Sequence, residues 1–185
     1  MRGHLFFMTA DILDRAAAAA LALAADKPWS QIALRDIAVK ADVSFAALYA
    51  LADSKAAVLT HLSTRFDQAA LGVDYPETST VHDRLFDAAM ARIEAMEPHR
   101  AALIAIAASE GVLASTARFP RIARAILEAA GVEATFPRLT AMTAVWARVV
   151  QVWRDDEGAL NRTMAELDKR LKQMAGQLGK LGAGF

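Results

Sequence analysis

The sequence predicts an all-α protein: an N-terminal three-helix helix-turn-helix domain followed by a C-terminal helical bundle. Three observations predict it. Apolar residues make up 55% of the 185 residues, and much of that fraction is alanine, the residue that costs a helix least. No run of β-branched and aromatic residues alternates with polar ones over the length of a strand. Apolar residues instead return at three- and four-residue spacing through successive segments, with Pro at several starts and Gly at an end.

The first helix is expected over about 9–25. Thr9 is placed to cap it, Asp11 and Asp14 suit its positive first turns, and Ile12, Ala16, Ala20 and Leu23 share a face. Asp26-Lys27-Pro28 stops it. Residues 1–8 read as a disordered extension: Leu5, Phe6 and Phe7 make too short an apolar stretch for a secretory signal. The alanine run 16–25 falls well short of the ~20 apolar residues that span a bilayer. A second helix follows over 32–40, burying Leu34, Ile37, Ala38 and Ala41. Asp42-Val43 makes a tight turn, for which Asp tolerates the left-handed conformation. Ser44 caps a third helix over 45–52, Asp53-Ser54 breaks the chain, and a fourth helix runs over 55–71.

Residues 72–80 carry Gly, Pro and short polar side chains, which marks a boundary between a domain at 9–71 and one at 81–182. A helix over 81–96 places Leu85, Phe86, Ala89, Met90 and Ile93 on one face. Pro98 opens the next, continued by 101–108; Pro120 opens another that Gly131 closes; Pro137 opens one through Trp146 to Trp153. The last spans about 159–178. Its seam of Leu160, Met164, Leu167, Leu171, Met174, Leu178 and Leu181 alternates steps of four and three, and residues 160–181 carry net charge +3. That seam suits packing within its own domain, pairing with a second copy, or a peripheral contact with an anionic membrane.

Composition removes several functions. There are no cysteines, so disulfides, thiolate catalysis and cysteine-held zinc are out. The 21 basic and 21 acidic residues cancel, which excludes a histone-like binder but not a local basic patch. His4, His61, His82 and His99 lack metal-ligand spacing, and no phosphate-binding or dinucleotide glycine loop is present. The expectation is a cytoplasmic protein that is not an enzyme, with no catalytic residues, no metal and no cofactor.

Residues 32–59 read IALRDIAVKADVSFAALYALADSKAAVL. Two short helices joined by a tight turn form the unit that sets a recognition helix in the major groove. Leu34, Ile37, Ala38, Val43, Ser44, Leu48, Tyr49, Ser54, Lys55 and Leu59 stand where the TetR family of transcriptional regulators has its pattern, and residues 9–70 resemble that family's DNA-binding domain. The resemblance implies a TetR-like fold, operator DNA as a partner, a homodimer, and a small-molecule effector. It places Ser44, Phe45 and Ala47 toward the groove and gives Tyr49 and Lys55 phosphate contacts. The chain departs from the pattern at Phe45, Ala46 and Ala47, where the family often has Arg, Gly and Thr, and at Ala50 to Ala52, leaving the third helix without Arg, Lys, Asn or Gln. Residues 1–60 hold six basic and six acidic side chains, a weak footprint for phosphates.

In the second half, HDRLFDAAMARIEAMEPHR (82–100) and WRDDEGALNRTMAELDKRL (153–171) resemble the C-terminal domain of the ubiquinone-biosynthesis lipid-binding family of the Coq-nine type. The matching positions are Asp83, Arg84, Leu85, Phe86, Met90, Arg92, Pro98 and Arg100, then Trp153, Asp155, Asp156, Thr163, Met164, Leu167, Asp168 and Leu171. That resemblance implies a lipid or other apolar ligand. Bulky apolar residues that suit such a site are Phe86, Met90, Ile93, Leu103, Trp146, Val149 and Trp153, although helical spacing alone also describes core. Two functions follow as expectations: a TetR-type regulator that responds to an apolar small molecule, or a lipid-binding, membrane-associated accessory protein that kept the fold and lost DNA binding.

Overall fold

The computed structural model describes residues 2–156 and 158–185, with the side chains of 2–9, 112 and 113 outside the described set, and every regular element among the described residues is a helix. α1 (Arg2–Asp26) starts ahead of Thr9, so residues 2–8 are helical where the sequence suggested a disordered extension. The reason is local: no Pro interrupts 2–9, and Thr9 lies inside a continuing helix instead of capping it. A short 3-10 turn at Trp29–Gln31 delays α2 (Leu34–Lys40), whose Asp36 carboxylate accepts the Ala33 backbone N–H at 2.9 Å. α3 is Phe45–Leu51 and α4 is Lys55–Leu71, with Ser54 Oγ accepting from the Ala57 N–H at 3.2 Å.

The chain divides into two compact units, one of residues up to 65 with 99–113, the other of 66–98 with 114–185. The units are therefore not two consecutive segments: α6 (Arg100–Glu110) groups with the N-terminal helices because it packs on α1. In this unit the alanine face of α1 (Ala16, Ala20, Ala24) is buried where α2, α3 and α6 pack on it. Side chains this small let helices approach closely, and larger side chains, among them Trp29, Ile32, Ile37, Leu48, Val58 and Ile106, complete the core.

In the second unit, α5 (Val81–Met96) opens on a reciprocal cap: the Asp83 N–H donates to Thr80 Oγ1, and the Asp83 carboxylate accepts the Thr80 N–H at 3.1 Å. A short α7 (Val112–Thr116) precedes α8 (Phe119–Ala129), α9 (Phe136–Arg154) and α10 (Asn161–Lys180). α9 packs on both α8 and α10, and α5 on the same two. Gly131 ends α8 in the left-handed conformation (φ 71°), its N–H bonded to the Glu128 carbonyl and that of Val132 to the Leu127 carbonyl. Buried Asp156 caps α10 by accepting from the Thr163 N–H and hydroxyl at 2.8 and 2.7 Å. Four of the seven seam residues turn inward: Leu167, Leu171, Met174 and Leu178 are buried within this unit, while Leu160 and Met164 are half-buried and Leu181 is exposed. Those four side chains are thus not an exposed apolar face for a membrane, and among the described residues no helix is long and apolar enough to cross one.

Candidate nucleic-acid interface

The α2–α3 turn is built by backbone chemistry. Asp42 takes the left-handed conformation (φ 52°), its N–H bonds the Val39 carbonyl, and the Val43 N–H bonds the Ala38 carbonyl. This satisfies the last carbonyls of α2 and aims the chain into α3. Arg15 of α1 clasps the turn, donating to the Asp42 carbonyl at 2.7 Å and its carboxylate at 3.3 Å. Ser44 then caps α3 by accepting the Ala47 N–H at 3.1 Å. Leu48 points inward and is fully buried, which commits the opposite side of α3 to the surface.

On that surface Ser44 is exposed, Phe45 and Ala47 are half-buried, and Tyr49 is 54% exposed. The Phe45 and Tyr49 rings lie 5.8 Å apart in a tilted pair. Arg35 of α2 lays its guanidinium 4.4 Å over the Phe45 ring, and Val39, one turn along α2 from Arg35, is 76% exposed. Lys55 is placed differently. Its ammonium donates to the Trp29 carbonyl at 2.7 Å and sits 4.6 Å over the Trp29 ring. That tie fixes the start of α4 and leaves Lys55 two further N–H donors. Arg35 and Val39 were not singled out from sequence, because their nearness to α3 arises across the turn.

The balanced charge of the N-terminal residues is unevenly spent. Asp42 pairs with Arg15, Asp36 with Lys27 at 3.5 Å, and Asp14 with His61 at 2.8 Å and Arg65 at 3.4 Å. The Ala33 N–H, aided by Lys27 and Lys55 and opposed by burial, holds the Asp36 carboxyl below its ordinary value. Arg35 and Lys40 are exposed and have no ion pair among the described residues.

The residues expected to line an apolar ligand site are less concentrated. Leu103 is half-buried in the first unit, and the other six belong to the second. Met90, Ile93, Trp146, Val149 and Trp153 are buried there. Among them sits an ion pair that sequence reasoning did not single out: Arg92, 2% exposed, donates to the Asp67 carboxylate at 2.9 Å. The Arg92 guanidinium lies 5.0 Å from the Trp146 ring and 5.7 Å from that of Phe66, and burial pulls its pKa down against the pull of Asp67. The Trp146 indole N–H has no acceptor among the described residues, whereas that of Trp153 donates to the Glu97 carboxylate at 2.7 Å. Phe86 instead lines an open groove of about 370 Å³ with His82, Asp83, Asp87, Met164 and Asp168. In it His82 meets Asp168 at 3.0 Å. Among the described residues no three His, Cys, Asp or Glu side chains are placed to hold a metal ion.

No family model and no curated protein matches the chain, so neither supports the resemblance to the Coq-nine type family. Among solved structures it is similar to a TetR transcriptional regulator from Rhodococcus sp. RHA1, with a TM-score of 0.64 over 89% of this chain and 95% of that one, at 16% identity. The fold is TetR-like. This agrees with the all-α helix-turn-helix architecture that the sequence predicts, and within the TetR-like fold α2 and α3 are the helix-turn-helix pair.

Proposed function

We propose that this chain is a TetR-type transcriptional regulator, cytoplasmic and not an enzyme, that binds operator DNA as a homodimer and responds to an apolar small molecule. The observation that carries the reading is the α2–turn–α3 unit, with its left-handed Asp42, its Ser44 cap and an outward α3, inside a TetR-like fold. Ser44, Phe45 and Ala47 face the major groove; Tyr49 and Lys55 contact phosphates. The effector is held in the second unit, by the side chains around Trp146 or in the groove at Phe86, and coupling follows from the two helix-turn-helix spacings that a dimer can adopt. Mobility shifts at several salt concentrations, with fragments from upstream of its own gene, test the reading. Binding that weakens steeply with salt, and further on Lys55→Ala or Tyr49→Ala, supports it; no binding by purified dimer at low salt overturns it for that region.

One observation favours a second reading. α3 carries no side chain of the kinds that usually pair with bases, which suits an accessory protein binding lipid that has lost DNA recognition. Organic extraction of the purified protein followed by mass spectrometry separates the two: a stoichiometric lipid in a chain that does not bind DNA favours this reading.

A further inference from the structure

A protein reads bases in the major groove in two ways, by pairing donors and acceptors or by apolar contact with the thymine C5-methyl group. α3 is equipped for the second. With Leu48 turned inward, the residues it offers are Phe45, Ala46, Ala47, Tyr49 and Ala50, with Leu51 exposed at its C-terminal end, and the Ser44 oxygen is engaged in capping. Phe45 is the large apolar group at the N-terminal end of α3, beside Ser44 and Ala47, and its ring is held on one face by the Arg35 guanidinium and followed along the helix by Tyr49. Such a stack restricts the ring at little entropic cost, because Phe has only two side-chain torsions. The cations beside it match a phosphate backbone: Arg35 and Lys40 are exposed on α2 without an ion pair among the described residues, while Asp36 and Asp42 are neutralised by Lys27 and Arg15.

We propose that Phe45, positioned by Arg35, reads thymine methyl groups, so that the preferred half-site is defined by a methyl-bearing pyrimidine at the position under the Phe45 ring. The inference rests on the DNA-binding reading above and specifies what that site recognises. Phe45 is then the specificity-determining residue and Arg35 a positioning residue whose remaining N–H groups face the backbone.

The test starts with selection of sites from random duplex DNA by the full-length protein. Affinity is then measured by fluorescence anisotropy as each thymine of the selected site is replaced singly by deoxyuridine, which removes only the methyl. Burying one such carbon corresponds to about fourfold in affinity. The expected result is a loss of about that size at one or two positions per half-site, and full affinity when 5-methyldeoxyuridine, thymine itself, is restored there. Phe45→Ala binds the thymine site more weakly and no longer distinguishes it from the deoxyuridine site, while Phe45→Leu retains part of the distinction. Because the substitution series uses the wild-type chain, a misfolded variant does not decide it. A selected site that tolerates deoxyuridine at every position, or that contains no thymine, overturns this inference and leaves the regulator reading standing. Failure to select or bind any duplex at low salt overturns both.

Discussion

Trp146 and Trp153 lie on the same face of α9, both buried, and differ in what their indole N–H meets. The Trp153 N–H donates to the Glu97 carboxylate at 2.7 Å; the Trp146 N–H has no acceptor among the described residues. A hydrogen bond to a charged group contributes about 1.5–3 kcal/mol, and a buried unsatisfied donor costs about 1–3 kcal/mol. Replacement by Phe removes the N–H at both sites along with some ring volume. Trp153→Phe is therefore expected to destabilise by at least about 2.5 kcal/mol more than Trp146→Phe, measured from urea midpoints. Equal losses would mean that the Trp146 N–H is satisfied in solution. Beside Trp146, the Arg92–Asp67 pair is stabilising only while both charges are present. Asp67→Ala removes the carboxylate that faces a guanidinium only 2% exposed, and a loss of about 3–5 kcal/mol is expected. The double variant Asp67→Ala, Arg92→Leu should recover much of it, because the buried guanidinium leaves with its carboxylate and Arg121, the other cation near Asp67, is 48% exposed; a strictly additive double variant contradicts the idea.

At the scale of the element, the α2–α3 turn depends on one backbone torsion. Asp42 at φ 52° adopts a conformation that costs an ordinary L residue about 1–2 kcal/mol and a glycine nothing. Asp42→Val should therefore destabilise by at least that much, whereas Asp42→Gly should be close to neutral, since the exposed carboxylate pair with Arg15 contributes little and the carbonyl bond from Arg15 survives. Thermal unfolding of the two variants checks the order. The turn was legible in the sequence for the same reason: Asp between a short apolar helix and a Ser cap has few other uses. The bounds of α4 and α5 were equally legible, since Ser54 and Thr80 supply side-chain oxygens where those helices begin. Elements without such punctuation were not. α1 extends to Arg2 because nothing stops it, and α7 at 112–116 is too short to show a period. The turn and the Ser44 cap that present α3 follow from the sequence; the Arg35 guanidinium over the Phe45 ring, made only through the fold, does not. Apolar spacing on α5 and α9 indicated burial correctly except at Phe86, which lines the open groove; it carried no information on the Arg92–Asp67 pair packed among those side chains.

At the scale of the whole molecule, formal neutrality conceals how the carboxylates are held. Asp36, Asp83, Asp168 and Glu166 all sit below their ordinary pKa values. The leading causes are, in turn, the Ala33 N–H, the Thr80 hydroxyl, Lys172 and Arg170, each opposed by burial. A carboxyl whose folded value is depressed contributes stability that is complete above its unfolded value and lost as pH falls through the folded one. All four act in the same direction, so thermal stability is expected to decline below about pH 4. Tyr75 acts at the other end. Burial first, then repulsion from Asp87, raises its phenol above the usual value, and its hydroxyl donates to the Arg84 carbonyl at 3.3 Å. A raised value means stability present at neutral pH and lost as pH rises past about 10. The melting temperature should thus be level across the middle range and fall at both ends, with the acid fall smaller in high salt because these carboxylates are near solvent. Two variants assign the ends independently. Thr80→Ala removes the leading partner of Asp83 and should flatten part of the acid fall while leaving the alkaline side unchanged. Tyr75→Phe should remove part of the alkaline fall and leave the acid side unchanged. If either substitution lowered stability equally at every pH, its effect would lie in packing or capping and the assigned titration would be wrong.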